Sequence, residues 1–417
     1  MVAIAVMEAE TTPNQALLSL DVRASGVGIQ RHFEKGQIMA SKFNYFSMLF
    51  LMMALWIAGH SACADDATPP SWNPTRTWVF AISSTEWKYD RAANMPKKGR
   101  LDSDLIAALE GRGVPKQQIV FLKDKEGTLA NIHHSFVELM RKTQKEDTLF
   151  FYFNGHGSRD VTKNYSRYYF VNYDATDDRQ DSFLYMSQML DKIEQHFRGS
   201  RVWLTADCCC SGGMIGEVKK RDGRMKYGCL TSVSAHNGST GDWTYTRCLI
   251  RGLKGDGRTD LNGDGQLEFG ELGRYIEREM AFIEQQKSQY YFSDGFDPKT
   301  RIGEARPLAD PALGKHLQIH QDGEWFTAEV IAVKDGQYRV AYNDYDEKEW
   351  VDPKRTRPYK PQEFVVGAKI DAKSEEDDKW HAASVLKTYY GLHLVRFDNM
   401  SAARDEWMPR DRIKPRK

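Results

Sequence analysis

The chain has no excess of charge of either sign. Among its 417 residues, Lys and Arg together number 58, and Asp and Glu together also number 58. A chain without net charge creates no long-range field that would attract nucleic acid or an anionic membrane. We therefore expect no nucleic-acid partner, and any recognition of charge must be local.

Cysteine is also scarce. The chain has 6 Cys residues, too few for the disulfide framework of a small secreted domain. Cys208, Cys209 and Cys210 are contiguous, and bridging between such neighbours is sterically poor. Cys229 and Cys248 are the only pair in the expected mature chain that could form a structural disulfide. The 41% hydrophobic content is instead ordinary for a globular protein with a packed core.

A hydrophobic run long enough to span a bilayer is missing as well. The apolar run at 45–59 has 15 residues, whereas a membrane-spanning helix needs roughly 20. The small-x-small signature at 62–64 follows it, so the sequence predicts a secretory signal peptide at 39–64. Residues 1–38 then lie outside the mature protein, which we expect to be secreted or periplasmic with no stable membrane span. The uncharged stretch at 43–64 leaves a retained membrane anchor open.

From residue 75 onward, short apolar runs alternate with segments whose apolar residues have helical spacing. This alternation indicates an α/β fold, in which helices flank a mostly parallel sheet. The predicted strands are 78–82, 118–122, 148–153, 202–206 and 230–235, and the predicted helices are 103–112, 129–145 and 183–197. The length suits two or three domains, of which this is the first.

Two of the predicted strands end in residue types that carry chemistry. One runs into Asn-Gly-His-Gly at 154–157, and the other runs into Asp-Cys-Cys-Cys at 207–210. The carboxyl ends of parallel strands converge on one crevice in an open α/β sheet, so a His and a Cys there can be neighbours. Because a thiol needs a partner to ionise at neutral pH, this pairing predicts a cysteine peptidase.

Residues 75–305 resemble the caspase-like peptidases of the metacaspase or orthocaspase type. The resemblance rests on a strand into Gly-His-Gly and a later strand into Asp-x-Cys-x-Ser-Gly. By the register of that family, Cys209 is the nucleophile and His156 is its general base and then general acid. The resemblance also implies an oxyanion hole at the backbone N–H groups of Gly157 and Cys209. It implies protein or peptide substrates and assigns no third catalytic group.

The same resemblance implies an acidic S1 pocket and cleavage after Arg or Lys. Asp207 is one expected acidic contributor and Asp102 is a second. The chain departs from the family pattern at Asn154, where the family often has Ser, and at 92–95, which contain no Cys-x-Asn-Asp motif. The basic loop at 219–224 follows the nucleophile, where such enzymes often cleave themselves, and a solvated basic loop is the open alternative.

Residues 260–271 fit the twelve-residue calcium loop at its diagnostic positions. Acid or amide oxygens occupy positions 1, 3 and 5, a Gly occupies position 6, and a Glu occupies position 12. The predicted Ca²⁺ ligands are Asp260, Asn262, Asp264, Gln266 and Glu271. The alternative is an Asx-rich turn that only caps the following helix. Calcium regulation of the enzyme is implied by the family resemblance alone.

Beyond residue 314 the chain repeats itself. The motif Trp-x-x-Ala at 325–328 recurs at 380–383, and short strands alternate with Asp-Gly and Asn-Asp turns. This pattern predicts two small SH3-like β-barrels, at 314–356 and 364–415.

Both repeats resemble Tudor or Agenet domains. The resemblance implies a possible aromatic cage for a methylated cation, built in the first repeat from Phe326, Tyr342 and Tyr345. Aromatic residues of small barrels also serve as core, so the ligand of the barrels is left unknown.

Two other functions stay open on the sequence. The chain could be a catalytically silent caspase-like scaffold whose barrels bind a partner. It could also be a thiol redox protein built on Cys208 to Cys210, which predicts reversible disulfide chemistry and no peptide cleavage.

Overall fold

The computed structural model describes residues 70–90, 93–161, 166–221, 223–342, 347–360, 363–374 and 377–416. The predicted signal peptide at 39–64 and the preceding residues 1–38 lie outside this part of the chain. No helix within the described residues is both long and apolar enough to cross a membrane.

A six-stranded sheet forms the centre of the first domain. Its strands are β1 Thr77–Ser83, β2 Ile119–Lys123, β3 Thr148–Asn154, β7 Arg201–Asp207, β8 Lys226–Thr231 and β10 Gln289–Phe292. They lie in the order β10, β8, β7, β3, β1, β2, with β10 antiparallel to β8 and the other pairs parallel. The predicted α/β fold class is confirmed, although β8 begins four residues before the strand predicted at 230–235.

Helices cover both faces of this sheet because the strands are apolar on both sides. In β3, Phe151 and Phe153 belong to one core cluster, while Phe150 and Tyr152 belong to the other. The helices are α1 Asp102–Gly111, α2 Leu129–Arg141, α3 Met186–His196, α4 Gly213–Val218, α5 Thr244–Leu253 and α6 Phe269–Glu284. The first cluster contains residues of α2, α3 and α4, and the second contains residues of α1, α5 and α6.

The two cysteines that could have formed a structural disulfide are both free and buried. Cys229 belongs to the first core cluster and Cys248 belongs to the second, so they pack in different cores. They therefore do not form the disulfide that the sequence left possible, because spacing along the sequence does not show in which core a side chain lies.

Two smaller sheets flank the central one. They contain β4 Gly157–Val161, β5 Ser166–Phe170 and β6 Leu184–Tyr185 in one, and β9 Gln266–Glu268 and β11 Arg301–Glu304 in the other. The first of these sheets begins immediately after the predicted catalytic His and so fixes the path of the chain there.

The carboxy-terminal part forms two five-stranded antiparallel sheets, each with its own core. Their strands are β12 His316–Gln321, β13 Glu324–Lys334, β14 Gln337–Tyr342, β15 Lys348–Val351 and β16 Thr356–Pro358, then β17 Lys369–Lys373, β18 Trp380–Tyr389, β19 Leu392–Phe397, β20 Glu406–Met408 and β21 Ile413–Pro415. The pairing of β13 with β14 shifts register after Val330, and that of β18 with β19 shifts after the corresponding Val385. The sequence repeat is therefore a structural repeat.

Candidate active site

The predicted catalytic residues emerge side by side at one edge of the central sheet. Strands β3 and β7 are parallel neighbours, and their last residues, Asn154 and Asp207, pair with each other. Every residue of β3 is buried, so the packed core fixes the position of this edge. His156 and Cys209 both line a cleft of about 450 Å³ that opens at this edge. The loops at 93–96 and 239–241 form its other walls.

The imidazole of His156 is held by two contacts. Its Nε2 atom lies 2.8 Å from the carbonyl oxygen of Ala93, and its ring packs on Trp87 with 4.3 Å between ring centroids. A carbonyl oxygen can only accept, so Nε2 carries the proton in this bond. The other nitrogen, Nδ1, is then the one that can accept a proton from a nucleophile.

Cys209 differs from its two neighbours in its surroundings. Its Sγ atom accepts a hydrogen bond of 3.2 Å from the backbone N–H of Ser239 and lies 3.9 Å from the carbonyl oxygen of the same residue. Cys208 is 2% exposed, and burial raises the pKa of its thiol well above the usual value. Burial also raises the pKa of Cys210, although nearby Arg159 acts in the opposite direction. Cys209 and Cys210 are both partly exposed, and of the three thiols Cys209 is the one that accepts a backbone N–H.

The backbone after Cys209 turns sharply. Cys210 has a φ of 57°, in the left-handed region that non-glycine residues rarely adopt. Its N–H donates to the carbonyl oxygen of Asn237 at 3.0 Å, which ties this turn to the loop that follows β8. The three cysteines are all free thiols, so the triplet contains no disulfide.

Gly157 brings the histidine loop against the nucleophile loop. A Cβ atom at this position would lie 2.2 Å from the carbonyl oxygen of Cys209 and 2.7 Å from the Sγ of Cys208, so no side chain fits. Gly157 faces Phe170 in the β4–β5 ladder, and the neighbouring bond runs from the N–H of Val171 to the carbonyl of His156. That pattern makes Gly157 and Phe170 a non-hydrogen-bonded pair, so the ladder leaves the Gly157 N–H unused.

Asp207 is a buried carboxyl group that also lines the cleft. Its Oδ2 atom accepts a hydrogen bond of 2.7 Å from the hydroxyl of Thr246 in α5. Burial raises the pKa of Asp207 to about 6, against the lowering effect of the hydrogen bond from Thr246. The group can therefore change its charge within the mildly acidic range.

Asp102 lies elsewhere. It is 1% exposed at the first position of α1 and forms an ion pair with Arg100. Arg100 also pairs with Asp124 at 2.7 Å. Asp102 does not line the described catalytic cleft, and its charge already has a basic partner within the protein.

The predicted calcium loop is ordered by its own backbone. Glu271 is fully buried and accepts hydrogen bonds from the N–H groups of Leu261, Asn262 and Glu268. Asp260 accepts from the N–H groups of residues 263 and 265, and Asp264 accepts from that of Gln266. Within the described residues, no three His, Cys, Asp or Glu side chains are grouped so that they could hold a metal ion. The calcium site stays a prediction.

Two of the three residues expected in the aromatic cage line a common pocket. Phe326 and Tyr342 meet edge to face, with 6.3 Å between ring centroids. Their pocket has a volume of about 230 Å³ and is also lined by Asp322, Glu324 and Glu347. The third residue, Tyr345, lies outside the described residues. This pocket is acidic as well as aromatic, which suits a cation.

The sequence did not point to Ala93, Trp87 or Ser239. Ala93 and Ser239 contribute backbone atoms, which any residue type could supply, so no sequence pattern marks them. Trp87 lies in the segment after β1, and only the folded chain shows that it packs on His156.

Comparisons with known proteins agree with this geometry. Residues 114–217 match the family model of the metacaspase, peptidase C14 domain, and residues 320–361 match that of the Agenet domain. The first match spans His156 and Cys209, and it supports a caspase-like cysteine protease domain with protein substrates. No curated protein sequence matches the chain.

Solved structures with similarity to parts of the chain include three examples. Protein GSU0716 from Geobacter sulfurreducens is 15% identical, with 55% of this chain and 98% of that chain covered and a TM-score of 0.37. The tandem Agenet domain 3-4 of ADCP1 is 24% identical, with 25% of this chain and 79% of that chain covered and a TM-score of 0.12. Arabidopsis thaliana AGDP1 AGD34 is also 24% identical, with 25% of this chain and 82% of that chain covered and a TM-score of 0.12.

Proposed function

We propose that the protein is an endopeptidase in which Cys209 and His156 hydrolyse peptide bonds. The observation that carries the proposal is the shared cleft, which His156 and Cys209 both line just beyond the ends of adjacent parallel strands. The bond from the Ser239 N–H to the Cys209 sulfur holds the thiol at the wall of the cleft. The bond from Nε2 to Ala93 leaves Nδ1 of His156 as the proton acceptor.

The chemistry follows from these positions. Nδ1 of His156 takes the proton of the Cys209 thiol, and the sulfur attacks the scissile carbonyl carbon to form a tetrahedral oxyanion. The N–H groups of Gly157 and Cys209 stabilise this oxyanion, each by roughly 3 kcal/mol. His156 returns the proton to the leaving amine as the C–N bond breaks and a thioester forms. A water molecule, deprotonated by His156, then hydrolyses the thioester and releases the thiol.

Cleavage after Arg or Lys is the specificity that the cleft supports best. Asp207 lines the cleft and can carry the negative charge that a basic side chain needs. Asp102 does not line the cleft, and its carboxylate pairs with Arg100 and Lys123. The proposed S1 pocket therefore depends on one carboxylate, set beside the neutral Asn154.

A fluorogenic peptide panel tests this function. Peptides with Arg, Lys, Asp or Asn at P1 are incubated with the wild type and with Cys209→Ala under reducing conditions, with and without Ca²⁺. We expect the wild type to cleave the Arg and Lys peptides and Cys209→Ala to cleave none. A wild type that neither cleaves nor reacts with an Arg-based thiol-directed probe would instead favour the silent scaffold.

Calcium regulation belongs to the proposal as a separate part. The loop at 260–271 already has the backbone turns of a calcium loop, with positive φ angles at Gly263 and Gly265. Glu271 supports this geometry by accepting three backbone N–H groups. Calorimetric titration with Ca²⁺ should detect binding by the wild type and weaker binding by Glu271→Gln. Equal heats of Ca²⁺ binding for the two proteins would show that calcium does not act through this loop.

The remaining part of the proposed function is self-processing, in which the enzyme cleaves its own loop at 219–224. Arg221 donates to the carbonyl of Ser187 at 2.9 Å, and Arg224 donates to that of Phe197 at 2.9 Å. Cleavage after either residue requires these bonds to open, whereas the side chain of Lys220 is 64% exposed and has an ion pair of 2.7 Å with Glu217. Mass spectrometry of the wild type, with Cys209→Ala as control, should find a cut after Lys220. An intact, active wild type would exclude self-processing at this loop.

The protein would act outside the cytoplasm, in the periplasm or after secretion, as the predicted signal at 39–64 implies. The acidic and aromatic pocket of the first barrel would hold a basic or methylated side chain of a protein ligand. A fusion of residues 39–64 to a reporter enzyme, fractionated after expression, tests the first point. Binding of Lys and trimethyl-Lys peptides to the wild type and to Phe326→Ala tests the second.

A further inference from the structure

A second groove lies beside the catalytic cleft, between the peptidase domain and the second barrel. Its volume is about 660 Å³. Arg159, His236 and Gln286 are among the residues that form its peptidase side, and Phe397, Met400 and Arg404 are among those on its barrel side. The two domains therefore build this groove together.

The groove continues from the catalytic cleft. Ser239 and Thr240 line both cavities, and Ser239 is the residue whose N–H donates to the sulfur of Cys209. An extended chain advances roughly 3.3 to 3.6 Å per residue, so a few residues separate a scissile bond at Cys209 from the groove. A bound polypeptide has a direct path from one cavity to the other.

The barrel wall of the groove is held firmly against the peptidase domain. Phe282 of α6 packs in one buried cluster with Leu394 and Trp407 of the second barrel. Beside this cluster, the Nζ atom of Lys287 pairs with Asp405 at 3.0 Å, with both side chains less than 10% exposed. Such an interface fixes the position of the barrel with respect to Cys209.

The charged side chains of the groove differ in the partners that they have within the protein. Glu406 pairs with Arg412 at 2.7 Å, and Glu284 accepts a hydrogen bond from Thr244. Arg159, in contrast, forms no ion pair with any of the described residues, and its Nη1 atom reaches the carbonyl of Ala235 only at 3.5 Å. The guanidinium group can therefore take a carboxylate from outside.

We propose that this groove binds a segment of the substrate polypeptide remote from the scissile bond, and that Arg159 recognises an acidic side chain in that segment. The inference rests on the proposed peptidase function and extends it. The second barrel is then a wall of the substrate-binding site, in which Met400 packs against the bound segment.

Peptides of two lengths test the proposal. A short fluorogenic peptide with Arg at P1 is compared with peptides extended by six residues on both sides, which contain either Glu or Gln. We expect the wild type to prefer the Glu peptide over the Gln peptide by roughly tenfold in kcat/KM, as a charge-assisted hydrogen bond allows. Arg159→Gln should lose this preference. Met400→Glu, which places a negative charge on the barrel wall, should lower the ratio of kcat/KM for the extended Glu peptide to that for the short peptide.

Trp380→Ala is the matched control, because Trp380 lies in the same barrel, is 42% exposed and does not line the groove. It should keep the wild-type ratio. Binding of the extended peptides to full-length Cys209→Ala, followed by fluorescence anisotropy, gives a readout that does not need cleavage. Cleavage without any preference between the Glu and Gln peptides would overturn the groove proposal and leave the peptidase function standing. Absence of cleavage, with Glu-dependent binding retained, would overturn the peptidase function instead.

Discussion

The Nε2 atom of His156 lies 2.8 Å from the carbonyl oxygen of Ala93, so a backbone group orients the proposed catalytic base. In many catalytic triads a carboxylate orients the histidine. A neutral carbonyl fixes the tautomer in the same way but stabilises the imidazolium less. The family resemblance assigned no third group, and we propose the carbonyl of Ala93 for this role.

Trp87 should be a positioning residue for this histidine. Its ring packs on His156, and its backbone N–H donates to Oδ1 of Asn94 at 2.9 Å, which anchors the loop that carries Ala93. Trp87→Ala should lower kcat at least tenfold with little change in KM, because a misplacement of about 1 Å can cost roughly a hundredfold. Trp87→Phe keeps a ring and should restore most of kcat. Wild-type kcat in Trp87→Ala, measured with a saturating Arg peptide, would contradict this role.

The three adjacent cysteines should react differently. Burial raises the pKa of Cys208 and of Cys210, so their thiols stay protonated at neutral pH. Iodoacetamide at pH 7 should therefore label Cys209 first, as peptide mapping by mass spectrometry would show. Cys208→Ala and Cys210→Ser should keep peptidase activity, whereas Cys209→Ala should abolish it. Loss of activity in Cys210→Ser with an unchanged unfolding midpoint would assign the nucleophile to Cys210 and not to Cys209.

The site was predictable from the sequence where catalytic residue types follow apolar strands. Strand β3 is a run of large apolar residues between Thr148 and Asn154, β7 has such residues at 202–204, and both strands lie within one residue of the predicted bounds. Their buried character fixes the ends at which His156 and Cys209 emerge. The spacing at 260–271 predicts a calcium loop, but side-chain oxygens of this loop bond to backbone N–H groups in the structure.

Other parts depend on contacts that are remote in sequence. The small sheet of β4 to β6 has short strands with many charged and polar residues, so its pattern did not stand out. Helix α5 supplies Thr246 to Asp207, and no local signal connects these two residues. The pairing of Asp102 with Arg100 removed a predicted pocket acid, and it became visible only in the folded chain.

Cleavage after Arg should depend on the ionisation of Asp207. Its pKa is raised to about 6, with burial as the largest cause, so the carboxyl is neutral below pH 6 and charged above it. We expect kcat/KM for an Arg peptide to fall as the pH drops through 6, mainly through a higher KM. Asp207→Asn should cleave Arg peptides poorly at all pH values. A pH profile that is the same for both proteins would exclude this group from the S1 pocket.

The same raised pKa has a consequence for stability. Between the ordinary pKa of an Asp, near 4, and the folded value of about 6, the folded state binds more protons than the unfolded state. The free energy of unfolding therefore falls as the pH rises through this range. Asp207→Asn keeps an acceptor for Thr246 without the charge, and it should be more stable than the wild type at pH 7. Urea unfolding at pH 4 and at pH 7 measures the difference, which should be larger at pH 7.

The buried pair of Lys287 and Asp405 should hold the second barrel on the peptidase domain, with unequal effects for its two members. Asp405 also pairs with Arg396, so Lys287→Met leaves a compensated carboxylate and should cost about 1 to 3 kcal/mol of unfolding free energy. Asp405→Ala leaves the buried ammonium of Lys287 with only the carbonyl of Ala402, and it should cost about 3 to 5 kcal/mol. The pair of Lys387 and Glu277 at the same interface, in which the Lys387 side chain is 49% exposed, is the control, and Lys387→Ala should cost less than about 1 kcal/mol. Equal losses of unfolding free energy in all three variants, measured by urea unfolding, would mean that water reaches the pair of Lys287 and Asp405 as readily as it reaches the protein surface.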